Sequence, residues 1–127
     1  MIQRVASPSP YAPSIGFSAA VRAGDTIYVA GTTAIDSAGE CVGGDDPYAQ
    51  ATEVLRKIEA ALREVGAELA DVVQTRMFVT DPADWPEIGR AHGEAFAEIR
   101  PAAAMLVTQL LDPRMRVEIE AVAFRPA

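Results

Sequence analysis

The stretch Arg116-Val117-Glu118-Ile119-Glu120-Ala121-Val122-Ala123-Phe124 decides the fold. Successive side chains of a β-strand point to opposite sides. Val117, Ile119, Ala121 and Ala123 therefore share one face, and Arg116, Glu118, Glu120, Val122 and Phe124 share the other. The first face is wholly apolar and needs a covering layer of helices. The second mixes carboxylates with Val and Phe, the composition of a partly buried surface covered by another subunit rather than by water.

Two segments supply the helices. Asp46-Pro47 reads as an N-cap and a first helical residue. Val54, Leu55, Ile58, Ala61, Leu62 and Val65 then recur at helical spacing before Gly66 stops the run. Asp84-Trp85-Pro86-Glu87 has the spacing of a capping box and leads into a second apolar stripe, Ile88, Ala91, His92, Ala95, Phe96 and Ile99. Strands are expected at Ile2 to Val5, at Asp71 to Thr80 and at Ala104 to Gln109. Ser18 to Arg22 and Thr26 to Gly31 form a hairpin about Ala23-Gly24-Asp25. Ser7 to Ser14 reads as an arm or long loop, Thr32 to Gly44 as a Gly-rich loop, and Asp112-Pro113 as a turn. The expected fold class is α+β: a mixed sheet with two helices on one face, in a single domain spanning residues 1–127.

Composition narrows the function. Eighteen acidic residues against eleven basic ones give a net charge of -7, and Lys57 is the only lysine. Binding to phosphate backbones or anionic lipid requires clustered cations, so neither nucleic acid nor a membrane is an expected partner. No stretch is apolar enough to span a bilayer, and Met1 to Ala12 lacks a signal pattern, so a cytoplasmic location is expected. A lone Cys41 and a lone His92 do not make a metal site, and nothing in the chain resembles a phosphate loop or dinucleotide fingerprint. The expectation is therefore no metal and no cofactor.

Few side chains can carry chemistry. Glu118 and Glu120 lie about 7 Å apart on one strand face. Such a pair can divide acid and base roles when its environments differ, or it can pair with arginines such as Arg76 or Arg116. His92 on its apolar stripe reads as a core or interface residue bonded to a backbone carbonyl. Cys41 reads as an incidental thiol, because no neighbour would lower its pKa. Gly31 leaves room for a ligand against the backbone or simply makes a turn. Phe17 and Ser18 line a pocket or seal the sheet edge. In Arg100-Pro-Ala-Ala-Ala-Met105 three small, poor strand formers stand where a strand begins, leaving space for a ligand or a neighbouring subunit.

Gly16-Phe-Ser-Ala-Ala-Val-Arg-Ala-Gly-Asp25, Tyr28-Val-Ala-Gly31, Phe78-Val-Thr-Asp81, Arg100-Pro-Ala102 and Val117-Glu-Ile-Glu-Ala121 together resemble the Rid family, also called YjgF-type or L-PSP endoribonuclease-like. The resemblance covers nearly the whole chain. It implies a chorismate-mutase-like fold and a homotrimer whose sheets form a central barrel, with small-molecule clefts between subunits. In the best-understood branch these clefts hydrolyse enamines and imines such as 2-aminoacrylate to 2-keto acids and ammonia.

The resemblance also implies site residues. Glu118 matches the glutamate that orients the attacking water, and Gly31 matches the backbone glycine. Phe17 stands in place of a tyrosine and Met105 in place of a common cysteine. Ala103 occupies the position of the arginine that clamps the substrate carboxylate through its planar fork. Arg76 and Arg114 are the cations from which a replacement would have to come. The expected function is an imine or enamine hydrolase (deaminase) acting on something other than a small 2-imino acid. A non-catalytic metabolite-binding or sensing protein is the alternative. The charge balance argues against the ribonuclease activity implied by one family label.

Overall fold

The computed structural model describes all residues, 1–127. Six strands form one sheet: β1 (Ile2–Val5), β2 (Ala20–Ala23), β3 (Thr26–Thr32), β4 (Val72–Val79), β5 (Ala102–Val107) and β6 (Val117–Phe124). Its spatial order is β1-β2-β3-β6-β4-β5. Only β4 and β5 run parallel. Three helices accompany the sheet: α1 (Ala12–Ile15), α2 (Pro47–Glu64) and α3 (Trp85–Phe96). The last strand of the chain thus sits in the middle, between β3 and β4. The fold is α+β with two long helices.

Alternation along β6 places the layers. Val117, Ile119, Ala121 and Ala123 are all buried, and they join Ile27, Val29, Met77 and Val79 of the adjoining strands in one core. Val54, Ile58 and Leu62 of α2 and Ile88, Ala91 and Phe96 of α3 close that core from one side. Glu118, Glu120 and Val122 remain half-buried on the other side. No helix covers that side. Tyr28 and Phe124 there are 55% and 50% exposed.

Element ends follow local chemistry, with several corrections to the sequence reading. Asp46 caps α2, its carboxylate accepting from the Tyr48 and Ala49 N–H groups at 3.0 and 3.1 Å. Gly66 follows the helix at φ 79°, a value that costs glycine nothing. The capping box at Asp84 does not form. Asp84 makes no cap bond, and its carboxylate instead accepts from Arg116 Nη1 at 2.7 Å. β2 begins two residues later than expected and β5 two residues earlier, at Ala102. Arg100 takes φ 54°, a role usually left to glycine, and Pro101 follows it, so the chain turns sharply into β5. The Ser7 to Ser14 arm ends in the single turn of α1.

Candidate functional site

The open sheet face carries Glu118 and Glu120 at the centre of the sheet, and a bulge in β3 completes the arrangement. Val29 pairs with Ala121 and Thr32 with Ile119, so Ala30 and Gly31 together oppose one residue of β6. The extra residue brings Gly31 against Glu118. A Cβ at position 31 would collide with Glu118 Oε2 and lie 3.0 Å from Cδ. Gly31 has no positive φ to explain it. The constraint here is space for a carboxylate.

The two glutamates have different surroundings. Glu120 forms an ion pair with Arg76, its register partner on β4. Glu118 lies opposite Phe78 and has no cationic partner within ion-pair distance. Burial raises its pKa, and the negative charge of Glu120 adds to the rise. Of the two arginines that might have paired with the glutamates, Arg76 takes Glu120 and Arg116 takes Asp84. The result is one carboxylate neutralised by an arginine and one whose protonated form is favoured by burial.

The remaining sequence candidates divide into two groups. Phe17 and Gly31 share the wall of a cavity of about 240 Å3 between the N-terminal arm, the end of β3 and α2. Ser18 is half-buried beside Phe17. Ala103 and Met105 stand elsewhere. They pair in register with Thr75 and Met77, whose side chains face the helices, so within one chain they lie across the sheet from Glu118. Met105 packs against the core, and Ala103 is exposed. Arg114, the other cation considered as a replacement clamp, is bound by Asp112 through two bonds of 3.1 and 2.7 Å.

His92 bonds a side chain rather than a backbone carbonyl. Its Nε2 shares a 2.9 Å hydrogen bond with Thr75 Oγ1, its ring stacks at a tilt on Phe96, and burial lowers its pKa. Burial also raises the Cys41 thiol, as an unreactive cysteine requires. Sequence reasoning missed Lys57. Its Nζ donates to the Thr33 and Ile35 carbonyls at 2.7 and 2.9 Å, holding the chain just past Gly31 to α2. The one available signal was a solitary lysine within an amphipathic helix.

Known proteins match this arrangement along its whole length. The family profile described as "Endoribonuclease L-PSP" covers residues 7–125. A Mycobacterium tuberculosis structure of the YjgF/YER057c/UK114 family is similar at a TM-score of 0.87 and 46% identity, covering 98% of this chain and 99% of that one. An uncharacterised Streptomyces coelicolor protein is 39% identical over 99% of this chain and 94% of its own length. The 3-aminoacrylate deaminase RutC of Acinetobacter baylyi is 34% identical over 92% of this chain and 90% of its own. With its bulged β3, central β6 and glutamate laid over a glycine, this chain belongs to the endoribonuclease L-PSP family, the YjgF/Rid group.

Proposed function

We propose that this protein is a deaminase-type hydrolase of imines or enamines that lack the carboxylate of small 2-imino acids, working in clefts between the subunits of a homotrimer. One observation carries the reading: Glu118 is half-buried, unpaired and raised in pKa, while no guanidinium is free beside it. The likeness to a 3-aminoacrylate deaminase supports the reaction type. Ala103 argues for a different substrate charge.

The chemistry asks little of the protein. Starting from the protonated imine, Glu118 takes a proton from water as the water oxygen bonds to the imine carbon, giving a carbinolamine. The glutamate passes that proton to the amine nitrogen, the C–N bond breaks to release ammonia, and the hydroxyl proton returns to the Glu118 carboxylate as the carbonyl forms. An enamine must first take a proton on carbon, which the neutral form of a raised carboxyl can supply. The Gly31 backbone offers a close approach for the substrate.

Assembly completes the site. Because Ala103 and Met105 lie across the sheet from Glu118 within one chain, a cleft holding all three draws β5 from a second copy. The bare outer edge of β5 and the uncovered sheet face with Tyr28 and Phe124 suit such packing. The free Cys41 fits a reducing, cytoplasmic setting.

The test compares ammonia release from a neutral alkyl imine generated in situ with release from 2-iminopropanoate. The neutral substrate is expected to turn over faster, with Glu118→Gln abolishing the difference from buffer. Binding without turnover would favour a metabolite sensor. Sedimentation should give three times the 13.5 kDa chain mass. A monomer active on its own would remove the intersubunit cleft.

A further inference from the structure

His92 is the only histidine of the chain, and the chemistry at Glu118 does not use it. Strand pairing fixes what stands next to it. The buried Thr75 side chain points toward the helices, where its Oγ1 shares a 2.9 Å hydrogen bond with His92 Nε2. Thr75 is also in register with Ala103 of the parallel strand β5. Partners in register share a face and lie on strands about 5 Å apart, so Ala103 and His92 are both neighbours of one hydroxyl.

The imidazole is held at one end and free at the other. Thr75 fixes Nε2, and the tilted contact with Phe96 fixes the plane of the ring. Nδ1 has no partner within the chain, and it is open to solvent, because no buried side-chain nitrogen or oxygen lacks a hydrogen bond. Ala103 is exposed, and its methyl group leaves the space beside Thr75 open. No cation competes there. Arg100, which precedes β5, turns back toward α3, its Nε donating to the Ala97 carbonyl at 3.1 Å. Arg76 lies on the opposite face with Glu120. Burial lowers the His92 pKa with no charged group contributing, so the ring is neutral at pH 7.5. A neutral imidazole with one free nitrogen offers one hydrogen bond and no charge.

We infer that the partner subunit's His92 is the specificity-determining residue of the cleft, hydrogen-bonding through Nδ1 to a carboxamide carried by the imine or enamine beside Ala103. An amide has both an N–H donor and a carbonyl acceptor, so it fits whichever tautomer the Thr75 bond selects. A carboxylate can only accept, and in this place it would be desolvated without a cation. The inference rests on the intersubunit cleft proposed above and names its substrate class. β5 is paired with β4 along its whole length, so a copy that lends β5 to the cleft brings Thr75 and the ring bonded to it. Glu118 from one copy and His92 from the next then face one substrate.

Butyramide is the probe, titrated into the full-length protein at pH 7.5 in parallel with butyrate. The ring C–H signals of the single histidine report the site directly. Saturable shifts are expected at these signals and at the amides of residues 103–105, together with those of Gly31 and Glu118, which lie across the sheet in the same chain. Butyrate should bind at least tenfold more weakly. His92→Phe keeps a ring without its nitrogens and should weaken butyramide at least tenfold. Because that change also leaves the buried Thr75 hydroxyl without a partner, Ala103→Leu is the second variant. At an exposed position it fills the space beside Thr75 with the Thr75–His92 bond left in place, and it should weaken butyramide at least tenfold. No saturable binding, butyrate bound as tightly as butyramide, undiminished binding in either variant, or shifts at His92 without any at Gly31 and Glu118 would each overturn the inference. Butyramide binding in the expected pattern without ammonia release from any imine would instead remove the hydrolase reading and leave His92 in its role.

Discussion

The two faces of β6 are made by one alternating segment and serve opposite ends. Toward the helices stand Val117, Ile119, Ala121 and Ala123, sealed by α2 and α3. Toward the open side stand Glu118, Glu120 and Val122, with no element of the chain above them. Burial on the first face stabilises the fold by removing apolar area from water. On the second face half-burial does the reverse. It holds a carboxylate where its charge is disfavoured, and that cost is what marks Glu118 as a candidate functional group.

Substitutions on each face should therefore behave differently. The largest effect is expected from Glu118→Gln, which should lower imine hydrolysis by about 10²- to 10⁴-fold, measured as kcat/KM for ammonia release. The same variant should be more stable than the parent at neutral pH. An acid whose folded pKa is raised binds more protons folded than unfolded, so its unfavourable contribution grows as pH rises above its ordinary value of 4.5. Denaturant melts at pH 4 and pH 7.5 check this. Equal stability of parent and variant at both pH values would mean that burial does not perturb Glu118.

Across the strand, Ile119→Ala should cost about 2 to 5 kcal/mol in a denaturant melt, as deletion of a fully buried side chain does, and any loss of activity should follow the loss of folded protein. Gly31→Ala ties the open face to β3. Its Cβ meets Glu118, so about 1 to 3 kcal/mol or a displaced carboxylate is expected. In a Glu118→Ala background the same change should be nearly neutral, and a double-mutant cycle reads the coupling. The smallest effect on stability belongs to Arg76→Ala, about 1 kcal/mol or less for an exposed ion pair. Its signature is in pH dependence. With Glu120 no longer neutralised, the pKa of Glu118 should rise further and the acid limb of the kcat/KM profile should move to higher pH.

Much of this was legible from residues alone. The helical stripes, the hairpin at Gly24 and the two-sided pattern of β6 all report local periodicity, which sequence spacing encodes directly. The misreadings concern groups with a choice of partner. Asp84 has capping-box spacing with Glu87, yet Arg116, just ahead of β6, takes its carboxylate. His92 found a hydroxyl on β4 instead of a carbonyl. Lys57 escaped notice because the carbonyls it binds lie more than 20 positions earlier in the chain.

The candidate site shows the same division. Glu118 and Gly31 were each nameable, but their contact depends on a bulge that opposes two residues of β3 to one of β6. Nothing in either segment alone announces that register. Ala103 and Met105 carry motif resemblance, while their placement across the sheet from Glu118 follows from the parallel pairing of β5 with β4.

By itself the sequence determined which segments are helix and strand, which face of β6 is apolar, and that no lysine or arginine cluster exists for a polyanion. The tertiary structure decided which carboxylate is paired and which is left without a cation, why position 31 must lack a side chain, and that a solitary ammonium ties α2 to the chain just past Gly31. The physical reason is range. Periodicity and capping act within a few residues, whereas ion pairing, desolvation and steric exclusion depend on which distant segments the fold brings within a few ångströms.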